Sequence, residues 1–271
     1  MDKNIIFVYF HVMELYYDPK VRLLCIKKCS LRKWHYDHPK LPFWRLYWGS
    51  GSAATIRCLG EIVALTSKRI VLVPPNTELS QRMAQGPVTH FGVHFLADAP
   101  FNRLHSKLYV FKAEGNMPDA IKAMPLDDED CLTNNPILIT AVRGLIHVLL
   151  SKIPAEDMPP VQIQEHLAKS MTFIEENLQR SLSYLELARQ MNMSVSTMLR
   201  LYQRELGLSP HEYLCQKRIE KACLLIHDRR TSIEQIAEET GFCDRYHFTK
   251  VFSRTTGQSP ARFRAYGRKR I

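Results

Sequence analysis

The apolar positions along the chain change period once. In residues 1–110 they fall in short runs, 43–48, 62–65, 70–73 and 88–95, rich in β-branched and aromatic side chains. Turn-forming stretches separate these runs: Gly49-Ser50-Gly51-Ser52, Pro74-Pro75-Asn76 and Gly86-Pro87. Runs of that length between such punctuation predict an antiparallel sandwich or barrel. Residues 137–152 then have helical length and a broad apolar face. Residues 151–160 (SKIPAEDMPP) carry three prolines and no apolar period, which predicts a linker over 153–160. Beyond it the apolar spacing is three to four, and every element reads as helix.

The helical part is an internal repeat. SYLELARQMNMSVSTMLRLYQRELGLSPHEYL matches SIEQIAEETGFCDRYHFTKVFSRTTGQSPARFR. Ala188 pairs with Ala237, Tyr202 with Phe252, Gly207 with Gly257, and Ser209-Pro210 with Ser259-Pro260. Each copy carries helix-boundary chemistry. Ser183-x-x-Glu186, Ser209-x-x-Glu212 and Ser232-x-x-Gln235 have capping-box spacing, and Ser194 and Asp244 are N-cap residues for the second helix of each copy. Asn192 and Gly241 stand where the first helix of each copy ends, and both tolerate a left-handed backbone. Each copy therefore reads as a short helix, a tight turn and a longer helix. Leu187, Ala188, Met198, Leu201 and Tyr202 form the inward set of the first copy; Ile236, Ala237, Phe248, Val251 and Phe252 form that of the second. The same periodicity would serve a plain helical bundle.

The outer faces of the second helices favour a different reading. One shows Ser196, Thr197, Leu199, Arg200, Gln203 and Arg204; the other shows Arg245, Tyr246, His247, Thr249, Lys250 and Arg254. Donors, methyl groups and cations in this mixture suit major-groove base edges and the flanking phosphates. A helix over 210–227 joins the copies and spans about 27 Å, near the ~34 Å of one DNA turn. Charge points the same way. The chain has 37 Lys and Arg against 27 Asp and Glu, a net charge of +10 in 271 residues, and residues 161–271 hold 18 basic and 12 acidic groups. A polyanionic partner follows, nucleic acid or an anionic surface.

LELARQMNMSVSTMLRLYQRELGLSPHEYL, QKRIEKACLLI and above all IAEETGF…HFTKVFSRTTGQSPARFR resemble the paired helix-turn-helix domain of the AraC/XylS family of bacterial transcription regulators, over residues 163–267. The resemblance implies an α+β two-domain chain, with an effector and dimerisation domain over 1–152 and the DNA-binding domain over 161–271. It implies base reading by Ser196, Thr197 and Arg200 in the first motif and by Arg245, Tyr246, Thr249 and Lys250 in the second, with Arg204 and Arg254 on phosphate. His247 joins that face. Leu199 stands where the family often has a polar base-reading residue, so a thymine-methyl contact is expected there instead. Double-stranded DNA, a small-molecule effector and a second copy of the chain are the implied partners, with RNA polymerase a further candidate.

PFWRLYWGSGSAATIRCLG…VLVPPNTEL…VTHFGVHF resembles the cupin-like effector domain found before this module. A small β-barrel can hold one ligand inside. Strand alternation puts Trp44, Leu46 and Trp48 on one face and His90, Gly92 and His94 on one face, with Arg45 pointing the other way from the tryptophans. Trp44, Trp48, His90 and His94, with Trp34 at the mouth, are the expected effector contacts. Tryptophan faces beside histidines suit a sugar; both tryptophans would equally serve as core. Ile137, Ala141, Leu145 and Val148 line one side of the helix over 137–152, which resembles the family's dimerisation helix; a helix that only closes the barrel has the same pattern.

Other chemistry is weakly represented. His90 and His94 lie too far apart on an extended strand to share a metal ion. Cys25-x-x-x-Cys29 is half of a four-cysteine zinc pattern, while Cys58 and Cys131 stand alone, so buried thiols are expected and no metal or cofactor. No nucleophile elbow or phosphate-binding glycine loop occurs, so no enzyme is expected; the alternative is a metal-dependent cupin enzyme fused to a DNA-binding module. An architectural DNA binder with no effector is a further rival. Seven scattered cysteines, no run near the ~20 apolar residues that span a bilayer, and no signal-peptide pattern over residues 5–13 predict a cytoplasmic protein without membrane contact.

Overall fold

The computed structural model describes residues 20–38, 41–84, 86–104, 106–113, 121, 136–159, 165–226, 228 and 230–266. The expectations on residues 5–13 and Cys131 lie outside these.

Among the described residues, nine strands occupy the first half: β1 (Val21–Leu31), β2 (Tyr36–His38), β3 (Trp44–Gly49), β4 (Ala54–Cys58), β5 (Glu61–Ala64), β6 (Arg69–Val73), β7 (Leu79–Met83), β8 (Val88–Ala97) and β9 (Tyr109–Lys112). They form two antiparallel sheets, ordered β1-β8-β3-β6-β9 and β2-β7-β4-β5. The expected barrel is thus two sheets without a closing strand pair among the described residues. Alternation assigns the faces of the larger sheet. Trp44, Leu46, Trp48, Ile70, Leu72, Phe91, Val93 and Phe95 share one face and one apolar cluster with Val142, Ile146 and Leu149 of α1 (Pro136–Ser151). Tyr47, Val71 and Val73 point the other way and pack on Ala54, Ile56, Cys58 and Leu79 of the second sheet. A sheet covered on both faces needs apolar residues at consecutive positions, which is why 43–48 is apolar on both parities with Arg45 the one exception.

The segment after α1 is not free. Ile153 is buried in the cluster under α1, and the Asp157 carboxylate accepts from Lys107 Nζ at 2.5 Å. Residue 160, the end of the expected linker, lies outside the described residues.

Seven helices follow: α2 (Glu165–Glu176), α3 (Tyr184–Gln190), α4 (Val195–Leu206), α5 (Pro210–Leu225), α6 (Ile233–Glu239), α7 (Arg245–Thr256) and α8 (Pro260–Tyr266). The caps form where their residue types demand. Ser194 Oγ accepts from Thr197 N, Asp244 Oδ1 from His247 N, and both Ser209/Glu212 and Ser232/Gln235 close reciprocal boxes. At Ser183 only half of the box forms, because the Glu186 carboxylate takes Arg180 at 2.8 Å instead. All ten residues assigned inward are buried. The first motif's core holds Leu187, Met198 and Tyr202 with Tyr213 and Leu214 from the start of α5. The second motif's core holds Phe248 and Phe252 with Ile219, Ala222 and Ile226 from its end, and it continues into Leu24, Leu41, Phe43 and Leu96 of the N-terminal domain.

Candidate nucleic-acid interface and effector region

The two helix-turn-helix copies present the expected faces. In α4, Ser196, Thr197, Arg200, Gln203 and Arg204 are exposed over the buried Met198, Leu201 and Tyr202. In α7, Arg245, Tyr246, His247, Lys250 and Arg254 are exposed over the buried Phe248, Val251 and Phe252, with Tyr246 79% exposed. Thr249 is half-buried. Leu199 is half-buried too and packs on the first motif's core, so only part of its side chain is presented. Three side chains are held locally: Arg200 Nε donates to Ser196 O at 3.3 Å, Arg204 pairs with Glu205 at 2.8 Å, and His247 Nδ1 lies 3.5 Å from Cys243 Sγ. Asp244, whose carboxylate accepts the His247 amide, is held below the ordinary range by that bond.

The turn of the second motif is locked to the first. Gly241 has φ +81°, and a Cβ there would stand 2.2 Å from Leu178 O. Arg218 of α5 donates from Nε to Leu178 O and from Nη2 to Arg180 O, both at 2.8 Å. One guanidinium thus caps the segment between α2 and α3 against the α6–α7 turn. The 16 residues of α5 span about 24 Å.

The expected effector residues divide between two environments. Trp44 and Trp48 are fully buried on the face under α1, with Trp44 stacked on Phe95 at 5.9 Å and Trp48 Nε1 donating to Ser67 O at 3.2 Å. α1 covers that face, and in this structure both tryptophans pack in the cluster beneath it. His90 and His94 project between the sheets, on the side that Arg45 and Tyr47 share. Trp34 joins them, its ring 5.0 Å from His90 and 5.7 Å from Tyr47. Burial, with the Lys27 charge, pushes the His90 pKa down to about 3, so its imidazole is neutral. Cys25 and Cys29 are buried thiols.

Arg45 and Tyr47 were not among the expected site residues. Burial lowers the Arg45 pKa and raises that of Tyr47, and the two side chains bond one another. The available signal was a lone cation inside an apolar strand. A cleft between the domains was also not anticipated. It is open to solvent, holds about 190 Å³ and is lined by Arg22 and Leu96 on one side and Lys217, Glu220, Lys221 and Leu224 on the other. Burial works against the Lys217 charge, but Glu220 at 3.2 Å and Glu175 at 3.3 Å outweigh it and hold its pKa above the ordinary value.

Comparison with known proteins adds the following. Residues 187–266 match the family described as a helix-turn-helix domain. The HTH-type transcriptional regulator MtrA of Neisseria gonorrhoeae is 22% identical over 174 residues, 61% of this chain and 58% of that protein. The arabinose operon regulatory protein of Escherichia coli is 34% identical over 79 residues, 29% of this chain and 27% of that protein. The matches thus span less than two thirds of these relatives. ToxT from Vibrio cholerae, solved with an unsaturated fatty acid, superposes with TM-score 0.59 at 13% identity, over 93% of this chain and 98% of that one. The two-domain arrangement, a β-sheet domain followed by a helical one, is shared with it.

Proposed function

We propose that the chain is a transcription regulator of the AraC/XylS type, a sequence-specific DNA-binding protein controlled by a small molecule held in its N-terminal domain. The observation that carries this reading is the division of α4 and α7. Each buries an apolar face and leaves a basic, donor-rich face open, and Arg218 and Gly241 fix the two motifs against each other. α4 and α7 enter successive major grooves, with Ser196, Thr197, Arg200, Arg245, Tyr246, Thr249 and Lys250 on base edges and Arg204 and Arg254 on phosphate. Binding breaks the weak Arg204–Glu205 surface pair at little cost.

The N-terminal domain serves as a cupin-like sandwich that holds the effector. The ligand-bound ToxT structure, of like fold, supports a small-molecule role. The case for a sugar rested on tryptophan stacking and loses its basis with Trp44 and Trp48 under α1. Self-association uses α1, whose outer side leaves Ile137, Ala141 and Val148 exposed, with open space at Gly144. The chain works in the cytoplasm without catalysing a reaction, and RNA polymerase is its downstream contact. Among the described residues no helix is long and apolar enough to cross a membrane.

Selection from a pool of random duplexes with the full chain tests this reading. It is expected to return two conserved blocks about one helical turn apart. A pool that stays random after repeated selection contradicts it.

A further inference from the structure

The sandwich buries a cation that no acidic group among the described residues neutralises. Arg45 is the second residue of β3 and is fully buried. Its Nη2 donates to Thr77 O at 2.7 Å, while Nε and Nη1 have no hydrogen-bond partner. The groups that act on its charge are Tyr47 and Cys58, and neither is a carboxylate. A buried lysine or carboxyl can escape such a position by changing protonation; a guanidinium keeps its charge. An uncompensated buried charge is costly, and the same fold with a methionine here would avoid that cost.

The surroundings have the character of a recognition site. Tyr47 hydrogen-bonds the guanidinium and stands 5.5 Å from the ring of His90, whose buried Nδ1 also has no partner. Gly92, opposite Tyr47 in the β3–β8 register, lets these rings close over β8: a Cβ there would stand 3.0 Å from His90 Nε2 and 3.7 Å from Tyr47 Cδ1. Trp34 closes the cluster from the irregular link between β1 and β2, with its ring 5.0 Å from that of His90.

We propose that Arg45 anchors the effector, and that the effector is a small carboxylate whose oxygens accept from Nε and Nη1. One guanidinium balances one carboxylate, whereas a phosphate dianion would carry a surplus charge into an apolar interior. This rests on the reading of the N-terminal domain as the sensing domain. The site has a route to the DNA-binding half. Arg45 is paired with His94 across the strands. The His94 ring lies on Phe43 at 5.1 Å, Phe43 meets Phe263 at 6.0 Å, and Phe263 meets Phe252 of α7 at 5.3 Å.

The test is a thermal-shift titration of the full chain with acetate, hexanoate and benzoate, each beside its neutral amide, and with inorganic phosphate. The wild type, Arg45→Met and Arg45→Gln are compared. At least one carboxylate is expected to raise the wild-type Tm by about 2 °C or more at saturation, with its amide and phosphate inert and the shift absent in both variants. Both variants are expected to fold and to retain DNA binding. Failure of all three carboxylates, an equal shift from an amide or phosphate, or a shift that survives in the variants overturns the proposal. So does failure of both variants to fold, which would make the guanidinium structural. Loss of DNA binding by the wild type itself would overturn the regulator reading instead.

Discussion

Phe263 of α8 packs edge-on against Phe43 of the N-terminal domain, with ring centroids 6.0 Å apart and planes at 74°. The contact joins α8 of the helical half to the sheet that carries the proposed effector region. Because Phe252 of α7 also meets Phe263, displacement at Phe43 bears on a helix assigned to DNA. A coupling of two sites needs such a shared element with more than one arrangement.

Removing that ring uncouples the halves. Phe263→Ala is expected to cost about 3 kcal/mol, the ordinary cost of deleting a buried aromatic. Urea unfolding followed by tryptophan fluorescence and by circular dichroism should agree for the wild type and separate into two transitions for the variant, because Trp34, Trp44 and Trp48 all report on the N-terminal half. Coincident transitions in the variant would show that other contacts hold the domains together.

Two left-handed glycines are expected to respond differently to alanine. At Gly207 (φ +67°) nothing lies within 4 Å of the new Cβ, so Gly207→Ala costs only the backbone strain, about 1 kcal/mol. At Gly241 the same strain is joined by a clash with Leu178 O, and Gly241→Ala should lose about 3 kcal/mol or more. Equal midpoints in urea for the two variants would contradict the close approach of the α6–α7 turn to the segment before α3.

His90 sets a pH dependence. Its folded-state pKa, about 3, lies below the ordinary 6.5, so between those values the unfolded chain binds the extra proton. Stability from this group is full above pH 6.5 and falls by about 1.4 kcal/mol per pH unit as the pH drops toward 3. Comparing urea midpoints at pH 7.5, 5.5 and 4.5 isolates the effect: His90→Phe should lose less stability on acidification than the wild type. Parallel curves would mean that the imidazole is already solvated.

Much of the C-terminal half was legible because its determinants are local. Caps at Ser194 and Asp244, the turn residues Asn192 and Gly241, and apolar spacing each act within a few residues, and duplication stated them twice. The strands gave less. A sheet buried on both sides shows apolar residues on both parities, so alternation separated Trp44 and Trp48 from Arg45 without saying which side α1 would cover. That choice depends on α1, far along the chain. The Phe43–Phe263 contact and the cleft at Lys217 arise from the docking of two halves, and no short-range pattern encodes either.

The exposed stripe on α1 makes a separate prediction. Val148→Asp combined with Ile137→Asp places charge on side chains that are 48% and 81% exposed, so folding should change by less than about 0.5 kcal/mol. Sedimentation of the full chain should shift from dimer to monomer. A dimer that survives both charges would place self-association elsewhere.

Affinity for the selected duplex tests the central claim most directly. Fluorescence anisotropy at fixed salt should show Arg200→Ala and Lys250→Ala each weakening binding to it by about 1–3 kcal/mol, with a smaller change on a scrambled duplex. Wild-type affinity and discrimination in both variants would contradict base reading by α4 and α7.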